Sequence, residues 1–454
     1  MSTMPHETIS THIAVALLAG LSGALSASLA AQSPESAASP APTHPVLDSV
    51  SGNPAADNIV PGTGFLGRSL GFDEDSGLRV GGLWLADTNG LLSGGEVPGA
   101  WSFNSMLLLG VNVDAERLLN LRGASFAVQF MQVDTQPTNA QAGSVQGYNS
   151  LDASAGTVMD RSQLYQAWYS QDLCDDKVHV RVGKQVPTYD FANVSRPVSA
   201  SDVLLMIPAV TGLLYTPIYD FPSMLGPIGG YYNSVYGVSV GVETTDHSYV
   251  RVGIYDGNLA DGVQTGVTGP TFNQYTYSIA EVGLDWVLDA EYPGEFGIGA
   301  WYQTGALEVT TATGDVVSQD GTGGVYFFGG QRVWSNGERD DGRSAHEQSI
   351  SAFVQYGINN STTMLMTQSV GGGLTGFGLV PSRPRDSAGV GASLAWLNPN
   401  IFDRSSELMF QCYYQFHITD GVFFQPALTY IPTPGASPRV NDSLAISFRL
   451  TTLF

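Results

Sequence analysis

The carboxyl-terminal stretch of the chain reads Ser443-Leu444-Ala445-Ile446-Ser447-Phe448-Arg449-Leu450-Thr451-Thr452-Leu453-Phe454. From 443 to 451, large apolar side chains occupy the even positions, and small or polar side chains occupy the odd ones. Because successive side chains of a β-strand point to opposite faces, this alternation predicts a strand with one oily and one polar face. The fold follows from how often this pattern recurs.

The same alternation returns in residues 236–243, 280–288 and 407–418, and no stretch after Leu78 has the 3.6-residue apolar period of a long amphipathic helix. These strands run about 9 to 12 residues, longer than the ~5 to 6 of soluble sheets and suited to crossing a bilayer at a tilt. A sheet in lipid must close, because an open edge leaves backbone groups without partners. The pattern therefore predicts an all-β fold, a transmembrane antiparallel β-barrel of porin type. The alternative architecture is a soluble β-helix or lectin-like sandwich.

The barrel is predicted to span residues 62–454. From Leu78 onward, at roughly 22 to 25 residues per strand and turn, the chain is long enough for about sixteen strands, give or take two. Aromatic residues near the expected strand ends suit the interfacial girdles of such barrels. These residues are Trp84, Trp101, Trp168, Trp286, Trp301, Tyr302, Trp334, Trp396 and Tyr430.

Composition excludes several classes of protein. Of 454 residues only 13% are charged, and 18 basic residues stand against 41 acidic ones, for a net charge of −23. No basic run is present to bind a phosphate backbone, so no nucleic-acid partner is expected. The two cysteines, Cys174 and Cys412, are too few and too far apart for a disulfide framework or a zinc site, and neither metal nor cofactor is predicted.

The amino-terminal residues predict export. An apolar run over residues 13–21 is followed by Ser28-Leu29-Ala30, which offers a cleavage pattern after Ala30 or Ala31. We expect residues 1–30 to be a signal peptide, with a single anchoring helix as the alternative. Residues 31–61 are rich in Pro, Ala and Ser and are predicted to be a solvated linker.

Polar residues on the inward-facing parity are candidates for lining a pore. Arg, Asp, Glu and Gln can exchange hydrogen bonds with sugar hydroxyls, and an aromatic ring can stack on a sugar ring. The alternative for each is an inward charge that pairs across the lumen without touching solute. The candidates are Arg79, Arg181, Arg251, Glu281, Asp285, Trp301, Glu407, Gln411 and Arg449.

Residues 184–230 lack clean alternation and contain six prolines. A segment of this length is too long for a turn, and long irregular segments in compact folds tend to be functional. We predict a loop folded into the barrel that narrows the pore, with an extracellular loop as the equal alternative. Its candidate constriction residues are Tyr189, Asp190, Arg196 and Asp202.

Enzyme motifs are present only in spelling. Gly237-Val238-Ser239-Val240-Gly241 fits the nucleophile elbow, but that serine must sit on a strand-to-helix turn, whereas Ser239 lies within an alternating strand. His346-Glu347 lacks the second histidine of a zinc protease. The chain is therefore not expected to be an enzyme.

Several blocks together resemble the carbohydrate-selective porins of the OprB type from bacterial outer membranes. The resemblance runs from about Gly62 to Phe454, and Gln166 stands where that family commonly has Glu. The blocks are residues 108–119, 123–130, 163–169, 180–184, 252–258, 407–408 and 425–431.

The resemblance implies a sixteen-stranded barrel that passes neutral sugars by diffusion across the outer membrane. It also implies that Phe454 is part of a signal read by the barrel-assembly machinery. The partners expected are thus sugars and outer-membrane lipid, with a homo-oligomer open. The alternative function is a general or ion-selective porin without sugar specificity. Anion pores line themselves with Lys and Arg, and the chain has only two lysines, Lys177 and Lys184.

Overall fold

The computed structural model describes residues 64–72, 76–152, 160–192, 211–226, 228–262, 266–267, 269–288, 292–311, 313–336 and 348–454. The predicted signal peptide and linker, residues 1–61, lie outside these ranges. Among the described helices, none is long and apolar enough to cross a membrane.

Sixteen strands close into one antiparallel barrel, each paired with its neighbours in chain order. This confirms the predicted fold class and strand number. The strands are β1 (Leu78–Gly94), β2 (Trp101–Asp114), β3 (Ala124–Asp134), β4 (Asp160–Leu173), β5 (Val178–Gln185), β6 (Val235–Thr245), β7 (Ser248–Asp256), β8 (Thr276–Leu288), β9 (Tyr292–Thr310), β10 (Val316–Ser335), β11 (Ser349–Asn359), β12 (Met366–Phe377), β13 (Ser387–Leu397), β14 (Ser406–Thr419), β15 (Val422–Ile431) and β16 (Ser443–Leu453).

The barrel closes between β1 and β16. Their register runs from Leu83 opposite Leu453 to Gly94 opposite Ser443. Beyond the last pair, Gly82 and Phe454 exchange both backbone hydrogen bonds, with N–O distances of 3.0 and 3.1 Å. The sheet therefore has no free edge at this seam, as a lipid environment requires.

Side chains alternate between the two faces of the wall as the period-two pattern predicts. Along β16 the odd positions from Ser443 to Leu453 are buried, whereas the even positions are half-buried on the outer face. Exposed apolar side chains such as Val182, Ile254 and Phe410 cover the outside. Strand length is more variable than predicted, from 8 residues in β5 to 20 in β10. The outer face is the surface that lipid solvates.

The connections differ between the two ends of the barrel. At one end, here called the turn end, the β4–β5 and β6–β7 connections are tight. At the other, the loop end, lie the long connections 135–159 and 186–234. In outer-membrane barrels short turns face the periplasm and long loops face outward. Short helices decorate the connections: α1 (Phe65–Ser69), α2 (Ala115–Leu119), α3 (Thr138–Ala142) and α4 (Pro187–Asp190).

The aromatic residues divide between the two faces. Trp84, Trp101, Tyr302, Trp334 and Tyr430 are exposed on the outside, where an interfacial girdle would place them. The girdle prediction is wrong for Trp168 and Trp301. Both side chains are buried on the inner face.

Candidate functional site

The described parts of two long loops fold into the barrel. We call residues 135–159 loop A and residues 186–234 loop B. Described parts of both form hydrogen bonds with side chains of the inner wall, so these loop residues lie within the lumen. The described part of loop B includes its 3₁₀ turns, Thr216–Ile218 and Pro222–Met224, which are fully buried. Wall residues that the sequence places on an inward face therefore meet loop atoms first.

Glu407 of β14 binds loop A. Its carboxylate accepts hydrogen bonds from the Ser144 hydroxyl and from the backbone N–H groups of Val145 and Gln146, each at 2.9 Å. A fourth donor, the N–H of Gly435, comes from the β15–β16 connection at 2.6 Å. Glu407 is fully buried, and these donors compensate its desolvation. One carboxylate thus joins two loops to the wall.

Side chains of β14 also hold residues 212–214 of loop B. The Gln411 side-chain oxygen accepts from the Leu214 N–H at 2.5 Å, and its amide donates to the Tyr148 carbonyl of loop A at 3.1 Å. The Gly212 N–H donates to the Tyr413 hydroxyl at 2.8 Å. Gln411 therefore links both loops to the same strand.

An ion pair crosses the seam beside these contacts. Asp87 of β1 accepts from Arg449 of β16, and its Oδ2 also accepts from the Asn149 amide of loop A at 2.7 Å. Arg449 donates further to the Ser150 hydroxyl at 3.1 Å and the Tyr219 hydroxyl at 3.2 Å. Asp87 and Arg449 thus neutralise each other's charge, and together they hydrogen-bond both loops.

A second network lies on the wall formed by β5 to β8. Arg181 donates to Asp190 of loop B at 2.7 Å, and both side chains are buried. The second carboxylate oxygen of Asp190 accepts from the Ser239 hydroxyl at 2.8 Å, and its carbonyl accepts from Arg251 at 2.8 Å. Nε and Nη2 of Arg181 have no hydrogen-bond partner in the described ranges. Ser239 therefore supports a loop, and its position within β6 rules out the strand-to-helix turn of a nucleophile elbow.

Glu281 of β8 is the third anchoring carboxylate. It accepts from the Tyr249 hydroxyl at 2.7 Å, the Tyr326 hydroxyl at 2.8 Å and the Ala192 N–H of loop B at 2.7 Å. Each tyrosine ring lies against a glycine of the adjacent strand, Gly283 under Tyr249 and Gly299 under Tyr326. A Cβ at either glycine would overlap the ring, so these glycines let the rings lie flat on the wall.

An aromatic group covers the wall next to Glu281. Tyr255, Tyr277 and Trp301 follow one another on β7, β8 and β9, with ring centroids 6.1 and 6.3 Å apart. Phe221 of loop B packs in the same buried cluster and lies 5.5 Å from Tyr326. The Tyr277 hydroxyl and the Trp301 Nε1 lack hydrogen-bond partners among the described residues.

A cavity of about 360 Å³ opens between the loops at the loop end. Loop A supplies polar groups such as Asn139, and loop B supplies Thr216, Asp220, Tyr231 and Tyr232. Leu365, Met366 and Phe402 from the β11–β12 and β13–β14 sides complete an apolar wall. Burial raises the pKa of the Asp220 carboxyl to about 7. The cavity thus combines aromatic rings, an apolar side and unsatisfied polar atoms.

The predicted site residues lie in different parts of the barrel. Arg181, Arg251 and Asp190 form one hydrogen-bonded group, beside which Glu281 binds loop B and Trp301 packs in the neighbouring aromatic cluster. Tyr189 packs against Tyr165 of β4 in another buried cluster. Glu407, Gln411 and Arg449 bind loops A and B from β14 and β16. Asp285 bonds His247 at 2.7 Å near the turn end, and exposed Arg79 lies beside Gly64 at that same end. Neither joins a cluster, because parity gives the face of a strand but not the depth. Arg196 and Asp202 lie outside the described residues.

Sequence reasoning missed loop A and the cavity. Loop A carries Asn139, Gln146 and Asn149 without a Lys or Arg between residues 135 and 159, and that uncharged amide content was the available signal. Asp87 and Asp220 were also missed. Asp87 lies on the inward parity of β1, while nothing in the irregular sequence of loop B distinguishes Asp220.

Gln166 pairs with a second amide side chain, that of Gln129. Its amide donates to the Gln129 side-chain oxygen at 2.9 Å, and both residues are buried on the inner wall. An ionised Glu could not donate this bond. The side-chain pair at this position of the inner wall is therefore neutral. In the described part of the chain, no group of three or more His, Cys, Asp or Glu residues is arranged to hold a metal ion.

Comparison with known proteins identifies the family of this barrel. The model of the carbohydrate-selective porin family, OprB, matches residues 104–454. The chain is a member of the OprB family. Porin B of Pseudomonas aeruginosa is 23% identical over 393 residues, which cover 78% of this chain and 82% of that protein. This OprB-family chain is accordingly a carbohydrate-selective porin of the bacterial outer membrane, and its family and fold are those of channels.

Solved structures show the same fold. The high-pH structure of Pseudomonas putida OprB matches with a TM-score of 0.71 at 17% identity, covering 87% of this OprB-family chain and 99% of that one. The low-pH structure of the same protein matches with a TM-score of 0.54 at 15% identity and the same coverage. At these identities the likeness concerns the barrel architecture.

Proposed function

We propose that this porin passes neutral mono- and small oligosaccharides by passive diffusion, and that the cavity between loops A and B is where a sugar is first recognised. The observation that carries the proposal is the pairing of aromatic rings with unsatisfied polar atoms at the loop end. Tyr231 and Tyr232 line the cavity beside Thr216, whose Oγ1 has no hydrogen-bond partner within the described ranges. Sugars present hydroxyl groups and a weakly apolar ring face, which such a surface matches.

The cavity volume supports small solutes. About 360 Å³ falls at the lower end of the ~300–1,000 Å³ that small-molecule pockets occupy. The described residues of loops A and B support the same proposal, because they bind the inner wall from two sides and narrow the space left for a solute. We therefore propose that short sugars enter readily and that long oligosaccharides enter poorly.

The deeper residues predicted from sequence are assigned two roles in this proposal. Arg181, Arg251, Glu281 and Trp301, with Tyr189 and Asp190 of loop B, shape the narrow part of the passage. Arg181 still has two N–H-bearing nitrogens without partners among the described residues, which can donate to a passing hydroxyl. Glu407, Gln411 and Arg449 act indirectly by fixing the loops.

Passage requires no chemical step in this proposal. Ser239, the residue of the elbow-like spelling, donates to Asp190 and Gln185 rather than to a histidine. A nucleophile needs an adjacent general base, and this serine is instead held by acceptors that support loop B. We propose no enzymatic activity.

We also propose that the barrel-assembly machinery recognises the carboxyl-terminal strand that ends in Phe454, and that the barrel can self-associate through its apolar outer face. Phe454→Ala should lower the yield of folded porin in outer-membrane fractions. Cross-linking in outer membranes should reveal oligomers. Unchanged yield would remove the first proposal, and an exclusively monomeric porin would remove the second.

The test of function is single-channel recording from the purified full-length porin in a planar bilayer. Glucose and maltose should block the open current saturably, and maltohexaose should block it more weakly. Phe402→Ala removes an aromatic ring from the cavity and should weaken block, whereas Phe272→Ala, at an exposed position of the same end, should not. Conductance that is indifferent to every sugar would refute sugar recognition.

A further inference from the structure

Asp220 gives the cavity a carboxyl group that has no counter-charge among the described lining residues. Its side chain lines the cavity and is only 8% exposed. Its Oδ1 has no hydrogen-bond partner among the described residues. A buried carboxylate without a counter-charge is costly, so such a group is usually paired. The Phe221 backbone N–H hydrogen-bonds the carboxyl group, but no counter-charge lines the cavity among the described residues, and a solute can supply one.

No cationic side chain lines the cavity in the described ranges. The other charged residue that lines the cavity is Asp152, whose Oδ2 accepts from the Asn139 N–H at 2.7 Å. Arg161 stands behind the cavity wall and donates to the Tyr232 carbonyl and the Asn233 side-chain oxygen. Arg449 is matched by Asp87. The charged side chains that line the cavity in the described ranges are therefore both acidic.

We infer that this cavity discriminates among sugars by charge, admitting amine-bearing sugars in preference to neutral ones and neutral ones in preference to sugar acids. The inference rests on the proposed sugar function and adds a substrate class to it. A protonated amine next to Asp220 gains a charge-assisted hydrogen bond with the free Oδ1. A sugar carboxylate in the same place meets a like charge in a site with little water to screen it. A neutral hydroxyl group can donate a hydrogen bond to Oδ1, so a neutral sugar should bind more weakly than an amine-bearing sugar and more tightly than a sugar acid.

The titratable groups near Asp220 make its charge adjustable by pH. They are Tyr277 on β8, Tyr231 and Tyr232 on loop B, and Asp152 on loop A. Thr188 and Gly230, which also lie near the carboxyl group, are uncharged. Because burial raises the pKa of Asp220 to about 7, the carboxyl group is ionised at pH 8 and protonated at pH 6. Discrimination should therefore weaken on acidification.

Three glucosides of one shape test the inference in planar bilayers: 2-aminoethyl, 2-hydroxyethyl and carboxymethyl glucoside. Each is titrated against the open current of the full-length porin at pH 8 and pH 6. At pH 8 we expect the aminoethyl glucoside to block at about tenfold lower concentration than the hydroxyethyl glucoside, and the carboxymethyl glucoside at about tenfold higher. Asp220→Asn should bring the three blocking constants together at pH 8.

The control is Asp315→Asn, which removes the same charge from an exposed loop-end position outside the cavity lining. If it reduces the discrimination as much as Asp220→Asn does, diffuse surface charge is responsible and the inference is overturned. Equal blocking constants in the wild-type porin at pH 8 overturn it as well. Absence of block by the neutral glucoside would instead count against the proposed sugar function itself, so the two failures are distinguishable.

Discussion

Asp87 and Arg449 form a buried two-point ion pair across the seam where the barrel closes, with Nε–Oδ1 and Nη2–Oδ2 distances of 2.8 and 2.7 Å. The two residues face each other in the register of β1 and β16. They are separated by 362 positions in sequence, yet are 0% and 2% exposed. The first and last strands are thus joined by side chains as well as by their backbone ladder.

Removing one partner of this pair should destabilise the barrel strongly. Asp87→Asn leaves the Arg449 guanidinium buried without a carboxylate, which typically costs about 3–5 kcal/mol. We expect a clear fall in Tm, measured by the loss of the compact form on gels after heating. The double variant Asp87→Leu, Arg449→Met should recover most of the loss. An unchanged Tm for Asp87→Asn would show that the pair contributes little to closure.

Weakening the Glu407 anchor should widen the passage. Glu407→Gln replaces one of two acceptor oxygens by an NH₂ group that faces N–H donors from loop A and Gly435. We expect larger and noisier single-channel conductance, because loop A is held less firmly. Glu308→Gln, at an exposed position near the end of β9, is the matched control and should leave conductance unchanged. Equal conductance in both variants would contradict the anchoring role.

The glycine under Tyr326 should not tolerate a methyl group. Gly299→Ala forces the ring off the wall and strains its hydrogen bond to Glu281, an overpacking change that costs about 1–3 kcal/mol. Tm should fall and the near-ultraviolet circular dichroism of tyrosine should change. Gly371→Ala serves as the control, since its Cβ would lie 3.4 Å from the nearest atoms. Similar losses in the two variants would argue against a specific role for the flat ring.

The pH dependence of stability should report Asp220. Its pKa is about 7 in the folded porin and about 3.9 in the unfolded chain, so the folded state binds the extra proton between those values. Stability from this group is therefore present at low pH and falls as pH rises toward 7. We expect Asp220→Asn to raise Tm at pH 8 and to have little effect at pH 4, by thermal unfolding in detergent. A Tm difference independent of pH would contradict a buried, titrating carboxyl.

Introducing an acidic residue at position 166 should alter ion selectivity. In Gln166→Glu, the Gln129 amide can rotate so that its Nε2, which has no partner among the described residues, donates to the new carboxylate. The added lumen charge should shift the reversal potential in a KCl gradient toward cation preference. The control is Gln171→Glu, close to the turn end of the same strand. An unchanged reversal potential would mean that position 166 does not face the ion path.

Local pattern was sufficient to predict the wall, and insufficient to predict what fills it. Alternation in residues 443–453 places Arg449 on the inner face because backbone pleating alone determines the face of each side chain. Whether Glu407 faces water or loop depends on Ser144, 263 positions away, which no local period encodes. Arg79 and Asp285 satisfy the parity and still lie at the turn end, since parity contains no measure of depth. Asp220 became visible only through the cavity that it lines.

Backbone hydrogen bonds between strands stabilise the barrel wall. The loops inside the barrel are instead anchored by a few acceptor side chains, such as Glu407, Gln411 and Glu281. This division has an evolutionary consequence. A lineage can exchange residues in loops A and B, and so diversify the nutrients it takes up, while the lipid-facing surface and the closure of the barrel stay unchanged. New substrate preferences can then arise on an unchanged barrel.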